Sequence, residues 1–215
     1  IYDFERAIAR LAVNRGGPRD LYMIRESLKI IKVLRDLIGE SLSEKNSLAL
    51  SKLMLNLNEF SDLINDLEII SDSPPMLARD GGFIKLDSYP EIKELMELKF
   101  TANDRILDLQ KKYRSETGVA NLRIKATNIL GYYIEVNSQY VDKIDKTRFV
   151  QRQTLANATR FITEELIEVQ EKLNSAQSLI LAKELEIYDG LCEKVITAYA
   201  GLCRAAKALA YLDIF

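Results

Sequence analysis

The chain has 215 residues, with 30 Lys and Arg against 32 Asp and Glu, and a formal net charge of −2. Hydrophobic residues make up 47% and charged residues 29%, an ordinary globular composition that argues against wholesale disorder and suits one or two domains. The absence of histidine excludes Ser-His-Asp and Cys-His catalysis and, with only two cysteines, ordinary structural zinc sites.

The opening residues Ile1-Tyr2-Asp3-Phe4-Glu5-Arg6 are acidic and lack a signal-peptide layout, and a start at Ile instead of Met suggests an excised piece. Phe4, Ile8 and Leu11 predict a first helix, ending near Gly16-Gly17. Pro18 suits the first position of a second, carried by Leu21, Ile24, Leu28, Ile31 and Leu34, with a turn expected at Gly39 to Ser43. Leu53, Leu57, Phe60, Ile64 and Leu67 predict a third helix without interruption. Pro74-Pro75 and Arg79-Asp80-Gly81-Gly82 break the helical pattern. Ser88 and Glu91 then have capping-box spacing for a helix that carries Leu95, Leu98, Ala102, Ile106, Leu109 and Tyr113 and stops at Gly118.

Between 119 and 162 the period changes to two. Leu122, Ile124 and Ala126 alternate with polar residues, and Tyr132, Ile134 and Val136 do the same after a turn at Asn128 to Gly131, which predicts a β-hairpin. One or two further strands are expected between Phe149 and Ile162. Thr163 is a good N-cap for a returning helical run from Leu166 to Leu209, about 66 Å long if unbroken, which Gly190 and Gly201 could bend. Its spacing argues for packing along an antiparallel partner, the helix of about 90 to 116. Cys192 and Cys203 fall on this run about 16 Å apart, too far for a disulfide, and read as reduced, buried thiols of a cytosolic protein. No run approaches ~18 apolar residues, so no membrane span is predicted.

The expected fold is therefore mainly α with a small inserted β module. A helical core gives way to two long antiparallel helices with the β module at their tip, divided as 1–102, 103–162 and 163–215. Charge separates tip from stem. Residues 121–160 carry seven basic and three acidic side chains, a net +4, whereas 163–190 carry two basic and seven acidic, a net −5. A basic tip on an acidic stem would orient toward a polyanion, although the same charges could merely solvate the module. The run Arg152-Gln153-Thr154-Leu155-Ala156-Asn157-Ala158-Thr159-Arg160 offers donors to phosphate oxygens that demand no particular base, or else strand-edge groups bonded to water. Tyr132, Tyr133, Tyr140, Phe149 and Phe161 fit the core of the tip better than base stacking. The helical carboxylates fall mostly on solvent faces, with no catalytic pair. Gly16-Gly17 and Gly81-Gly82 lack the Gly-Lys-Ser/Thr of a phosphate-binding loop.

Gly131-Tyr132-Tyr133-Ile134-Glu135-Val136, Arg152-Gln153-Thr154-Leu155, Asn157-Ala158 and Arg160-Phe161-Ile162-Thr163-Glu164-Glu165-Leu166 resemble the MutS family of bacterial DNA mismatch-repair proteins. Asp3-Phe4-Glu5-Arg6, Leu11-Ala12, Pro18-Arg19-Asp20-Leu21, Arg79-Asp80-Gly81-Gly82 and Glu116-Thr117-Gly118 are similar to that family in the same order. The resemblance implies a core and lever region with an inserted clamp, which binds the backbone of double-stranded DNA without reading sequence. Carried onto this chain, the DNA-binding candidates are Lys125, Asn128, Arg152, Gln153, Thr154, Asn157 and Arg160. Arg152, Asn157 and Arg160 are expected to be exposed, so that replacing them leaves the fold intact. The resemblance further implies a homodimer in the intact protein, a cytoplasmic, nucleoid-associated location, and mismatch repair in preference to a recombination role. The family's mismatch-reading and ATPase domains have no counterpart here, so the piece is expected to be no enzyme and to need no cofactor, ATP and Mg belonging to the intact protein. The competing expectation is a helical scaffold whose β tip binds a protein partner.

Overall fold

A computed structural model describes residues 3–44, 48–57, 59–127 and 129–212. The chain divides into two compact units, Ile1–Tyr89 with Leu181–Phe215, and Pro90–Ile180. It is mainly helical with one small antiparallel sheet, as expected.

In the first unit, α1 (Phe4–Ala12) begins where the Asp3 carboxylate accepts the Arg6 N–H at 3.1 Å, and it buries Phe4, Ala7, Ile8 and Leu11. α2 (Pro18–Glu44) opens on proline. Buried Asp20, in its first turn, accepts the Gly17 N–H at 2.9 Å and Arg10 Nε at 3.0 Å, tying α2 back to α1. The turn expected at Gly39–Ser43 is absent, and α2 runs through it. One interior glycine costs only about 1 kcal/mol relative to alanine, too little to end a long helix. The single third helix is instead two, α3 (Leu48–Asn56) and α4 (Ser61–Leu67). Asn56 Nδ2 donates to the Lys52 carbonyl at 3.0 Å, so a side chain occupies an acceptor of the helix ladder where α3 ends.

The loop after α4 is held by buried charge. Arg25, 1% exposed, donates to the Ile70 carbonyl at 2.6 Å and to Asp72 at 2.7 Å. Ile70 in turn bridges Ile84. Gly81 and Gly82 adopt φ of +67° and +73°, which turns successive N–H groups inward. The Glu184 carboxylate accepts three of them, from Gly82 at 2.7 Å, Phe83 at 3.0 Å and Ile84 at 3.1 Å. Glu184 thus departs from the solvent-facing pattern of the stem: it is 2% exposed and structural. The long C-terminal run is also two helices, α6 (Glu164–Thr197) and α7 (Tyr199–Leu212), interrupted at Ala198 and not at either glycine. Thr197 Oγ1 donates to the Glu193 carbonyl at 2.8 Å, a back-bond that loosens the ladder there. Cys192 and Cys203 consequently lie on different helices, each half-buried instead of buried, and burial pushes the Cys192 thiol up to about 11.

The second unit begins with α5 (Pro90–Thr117). Its first residue is the proline, while Ser88, the expected cap, lies in the preceding short turn Leu86–Ser88. The expected hairpin is β1 (Arg123–Thr127) and β2 (Gly131–Asn137), and the stretch beyond it forms two strands, β3 (Val150–Thr154) and β4 (Ala158–Ile162). The sheet order is β1-β2-β4-β3, antiparallel throughout. Ile134, Val136 and Phe161 on its inner face join Ile106, Leu109 and Tyr113 of α5 and Leu166, Val169 and Leu173 of α6 in one core. The Tyr113 hydroxyl lies 2.7 Å from Thr163 Oγ1, which accepts the Leu166 N–H at 3.2 Å and caps α6 as expected. Lys112 also meets Glu165 at 3.0 Å, so the end of α5 lies beside the start of α6 and the two run antiparallel. No helix among the described residues is long and apolar enough to cross a membrane.

The Glu184 tie has a measurable consequence. Glu184→Ala leaves three amides without their acceptor and should lower the unfolding free energy by about 2–4 kcal/mol, read from urea melts. Glu184→Gln, which keeps one acceptor oxygen, should lose less.

Candidate nucleic-acid interface

The candidate residues fall into two groups. Lys125, Gln153 and Arg160 stand on the outer face of the sheet and meet through Glu135, which sits opposite Arg160 in the ladder. Lys125 Nζ lies 2.6 Å from Glu135 Oε1, Arg160 Nε lies 3.6 Å from Glu135 Oε2, and Arg160 Nη1 donates to Gln153 Oε1 at 2.8 Å. These contacts cross all four strands. Beneath them the Arg160 guanidinium covers the Tyr133 ring at 4.4 Å, so Tyr133 is buried although it points away from the core.

Arg160 therefore corrects the expectation of an exposed side chain. It is 20% exposed and committed to Tyr133, Glu135 and Gln153. The Lys125 hydrogen bond, more than the facing Arg160, holds the Glu135 carboxyl below its ordinary range, against the effect of partial burial.

Arg152, Thr154 and Asn157 form the second group, on the edge strand β3 and the β3–β4 turn. Gln151 faces Phe161 and Gln153 faces Arg160, so Arg152 is an extra residue in the strand, a β-bulge. It is exposed and has no ion-pair partner among the described residues. Thr154 Oγ1 accepts from Gln151 Nε2 at 2.8 Å. Asn157 sits in the turn, its carbonyl accepting the Ser138 N–H at 3.1 Å and its side chain exposed. Asn128 lies outside the described residues. Lys125, opposite Tyr133, and the β3–β4 turn, beside Asn137, lie about 13 Å apart along β2. The six described candidates thus do not converge on one point.

Local pairing also revises the charge of the tip. Arg148 donates to Glu116 at 2.6 Å and Glu165 at 2.8 Å and lies over the Tyr113 and Phe149 rings. With Lys125 and Arg160 also paired, the cations without a carboxylate partner among the described residues are Arg123, Lys143, Lys146 and Arg152. Of the aromatics, Tyr133, Phe149 and Phe161 are buried, and Tyr132 and Tyr140 pack against the core, in keeping with the packing role expected of them. Sequence reasoning missed the roles of Glu135 and Gln170. Gln170 Oε1 accepts the Tyr132 N–H at 2.8 Å and lies where a Cβ on Gly131, φ +66°, would overlap it. Gly131 was the available signal, since a positive φ and a close neighbour both favour glycine.

Residues 87–179 match MutS family domain IV, a span that nearly coincides with the second unit. Over 99% of its length the chain is 36% identical to a DNA mismatch repair protein MutS of Bartonella tribocorum. The chain belongs to the MutS family. It is likewise 36% identical to the Bartonella henselae protein of that name and 34% identical to the Rickettsia typhi one, over 99% of its length in both cases. It spans about a quarter, 24%, of the length of each of these relatives.

Two outcomes follow from the outer-face ladder. Arg160→Ala should cost about 1–2 kcal/mol of stability in denaturant melts, because it uncovers Tyr133 and strips Glu135 of a partner. The carboxylate also sets a pH dependence. A depressed folded-state value means that its stabilisation is full above the ordinary 4.5 and is lost as the pH falls through the lower folded value. The thermal midpoint of Glu135→Gln should therefore fall less steeply than that of the wild type between roughly pH 5 and 3.

Proposed function

We propose that the second unit grips the sugar-phosphate backbone of double-stranded DNA without reading its sequence. It would act as the clamp carried by α5 and α6, the levers of a mismatch-repair protein. The carrying observation is the β3–β4 hairpin: it holds unpaired Arg152 on a bulged, exposed edge, and no Asp or Glu occurs from Lys146 to Thr163. A cation that has no internal partner is free to displace counterions from phosphate, which is where sequence-independent affinity originates. Gln153, Thr154 and Asn157 add neutral hydrogen bonds beside it. Arg160 contributes positive potential from its place over Tyr133, Lys125 extends the contact along the sheet, and Asn128, outside the described residues, is proposed to add to it.

In the intact protein two such clamps close on one duplex as a homodimer, in the cytoplasm and at the nucleoid. The levers relay that engagement to an ATPase domain outside this chain. The chain alone is then a binding piece, not an enzyme, and ATP and Mg act elsewhere in the protein.

Anisotropy of a labelled duplex, titrated at several salt concentrations between about 50 and 200 mM, tests the reading. Binding should weaken as salt rises and be equal for matched and mismatched duplexes. Arg152→Ala should flatten the log-affinity against log-salt slope by about one unit, whereas Asn157→Ala should lower affinity at unchanged slope. Salt-independent binding, or a clear mismatch preference, would overturn the proposal; the former would favour a protein partner for the tip. Calorimetry with Mg-ATP should show no saturable heat.

A further inference from the structure

The antiparallel helices of the second unit leave space between them. A groove of about 740 Å³ runs from Leu95 and Leu179 at one end to Leu109 and Glu165 at the other. Its floor is apolar, formed by Leu95, Leu98, Leu109, Val169, Ala176 and Leu179. Leu98 is 61% exposed and Leu179 is 54% exposed. Two helices with facing apolar stripes, and no third element of the second unit's described residues lining the seam, leave apolar area in water, at a cost of about 25 cal/mol for each Å². Fifteen residues of α5 span the groove from Leu95 to Leu109, about 21 Å at ~1.5 Å per residue, the length of a helix of about four turns.

The rim identifies the chemistry of what covers the seam. Asp104, Asp108, Glu165 and Glu168 border it, against Arg105 and Lys172. Asp108 and Glu165 have lysine or arginine partners, but Asp104 and Glu168 are exposed with no ion-pair partner among the described residues. An acidic rim repels nucleic acid, and an apolar floor offers phosphates nothing. A helix with one apolar stripe flanked by Lys or Arg satisfies both floor and rim.

We infer that the groove between α5 and α6 is a docking site for a basic amphipathic helix of a partner protein. The helix lies along the seam as a third member of a small bundle. Its apolar residues, spaced three and four apart, rest on Leu98, Ala176 and Leu179, and its basic flanks meet Asp104 and Glu168. This site is separate from the sheet surface assigned to DNA and does not depend on that assignment.

The probe is a synthetic helical peptide of about four turns with leucines along one stripe and lysines on both flanks. Two control peptides replace its lysines by Glu or its leucines by Ser. Anisotropy with the 215-residue chain should show saturable one-to-one binding of the basic peptide, at least about tenfold tighter than either control. The double variant Leu98→Ser with Leu179→Ser should weaken binding by about tenfold or more, with an unchanged circular dichroism spectrum, since both side chains are exposed. Phe100→Ser, at an equally exposed position of α5 outside the groove, should leave binding unchanged. The inference is overturned if no saturable binding occurs. Equal binding of the leucine-free peptide, or full binding by the Leu98/Leu179 variant, also overturns it. Sedimentation provides the remaining check: a dimer abolished by the same double variant would give the groove to a second copy of the chain and refute the partner.

Discussion

A four-stranded sheet has two faces, and in the second unit the helices cover only one of them. Everything distinctive about the outer surface follows from that imbalance. The inner face takes Ile134, Val136 and Phe161 into the shared core with α5 and α6. Tyr133, on the other face, must be sheltered by something that is not a helix. Arg160 does this by laying its guanidinium on the ring while its Nη1 donates to Gln153 and its Nε faces the Glu135 carboxylate, which Lys125 also pairs. Cross-strand pairs of this kind are the unit in which sheets are stabilised, and here one set spans the whole width. The charges that hold the sheet together are by the same act paired with one another, and Arg160 and Glu135 are largely covered while Lys125 stays exposed. What the pairing leaves over, among the described residues, is Arg123, Lys143, Lys146 and the bulged Arg152, with the turn residue Asn157 beside the last.

That division explains how far the amino-acid pattern could be followed. The periods of three to four and of two located the helical stretches and the first hairpin, because burying apolar stripes drives folding more than any other force and leaves a regular trace. The breaks were less visible. Gly39 was a plausible stop that the helix overrode, while α3 ended at Asn56 and the last long run broke at Ala198, each beside a side chain that bonds a helical carbonyl. Periodicity carries no record of such bonds. The interface shows the same limit. Counting seven cations in the tip was correct as composition, yet partners brought from distant positions, Glu116 and Glu165 for Arg148 and Glu135 for Arg160, decide which of them act outward.

The residues that carried the family resemblance do mostly backbone work. Asp3 caps α1 and Asp20 ties the second helix to the first. Gly81 and Gly82 form the cradle for Glu184, Gly118 ends α5 at φ +65°, and Gly131 gives way to Gln170. Recognition of the family therefore drew both on these backbone positions and on the β3–β4 motif that supplies Arg152, Gln153, Thr154, Asn157 and Arg160.

The bulge in β3 bears on solubility as well. An exposed edge strand is a template for another chain, and Val150-Gln151-Arg152-Gln153-Thr154 without its arginine would be short of charge and able to lie flat. The extra residue twists the strand away from a regular ladder, and the cation repels a second copy approaching in register. The proposed phosphate contact and protection against aggregation would thus call for the same side chain. A substitution at Arg152 by an apolar β-branched residue would leave a sticky sheet edge whether or not that contact is made, and this effect would appear during expression and storage.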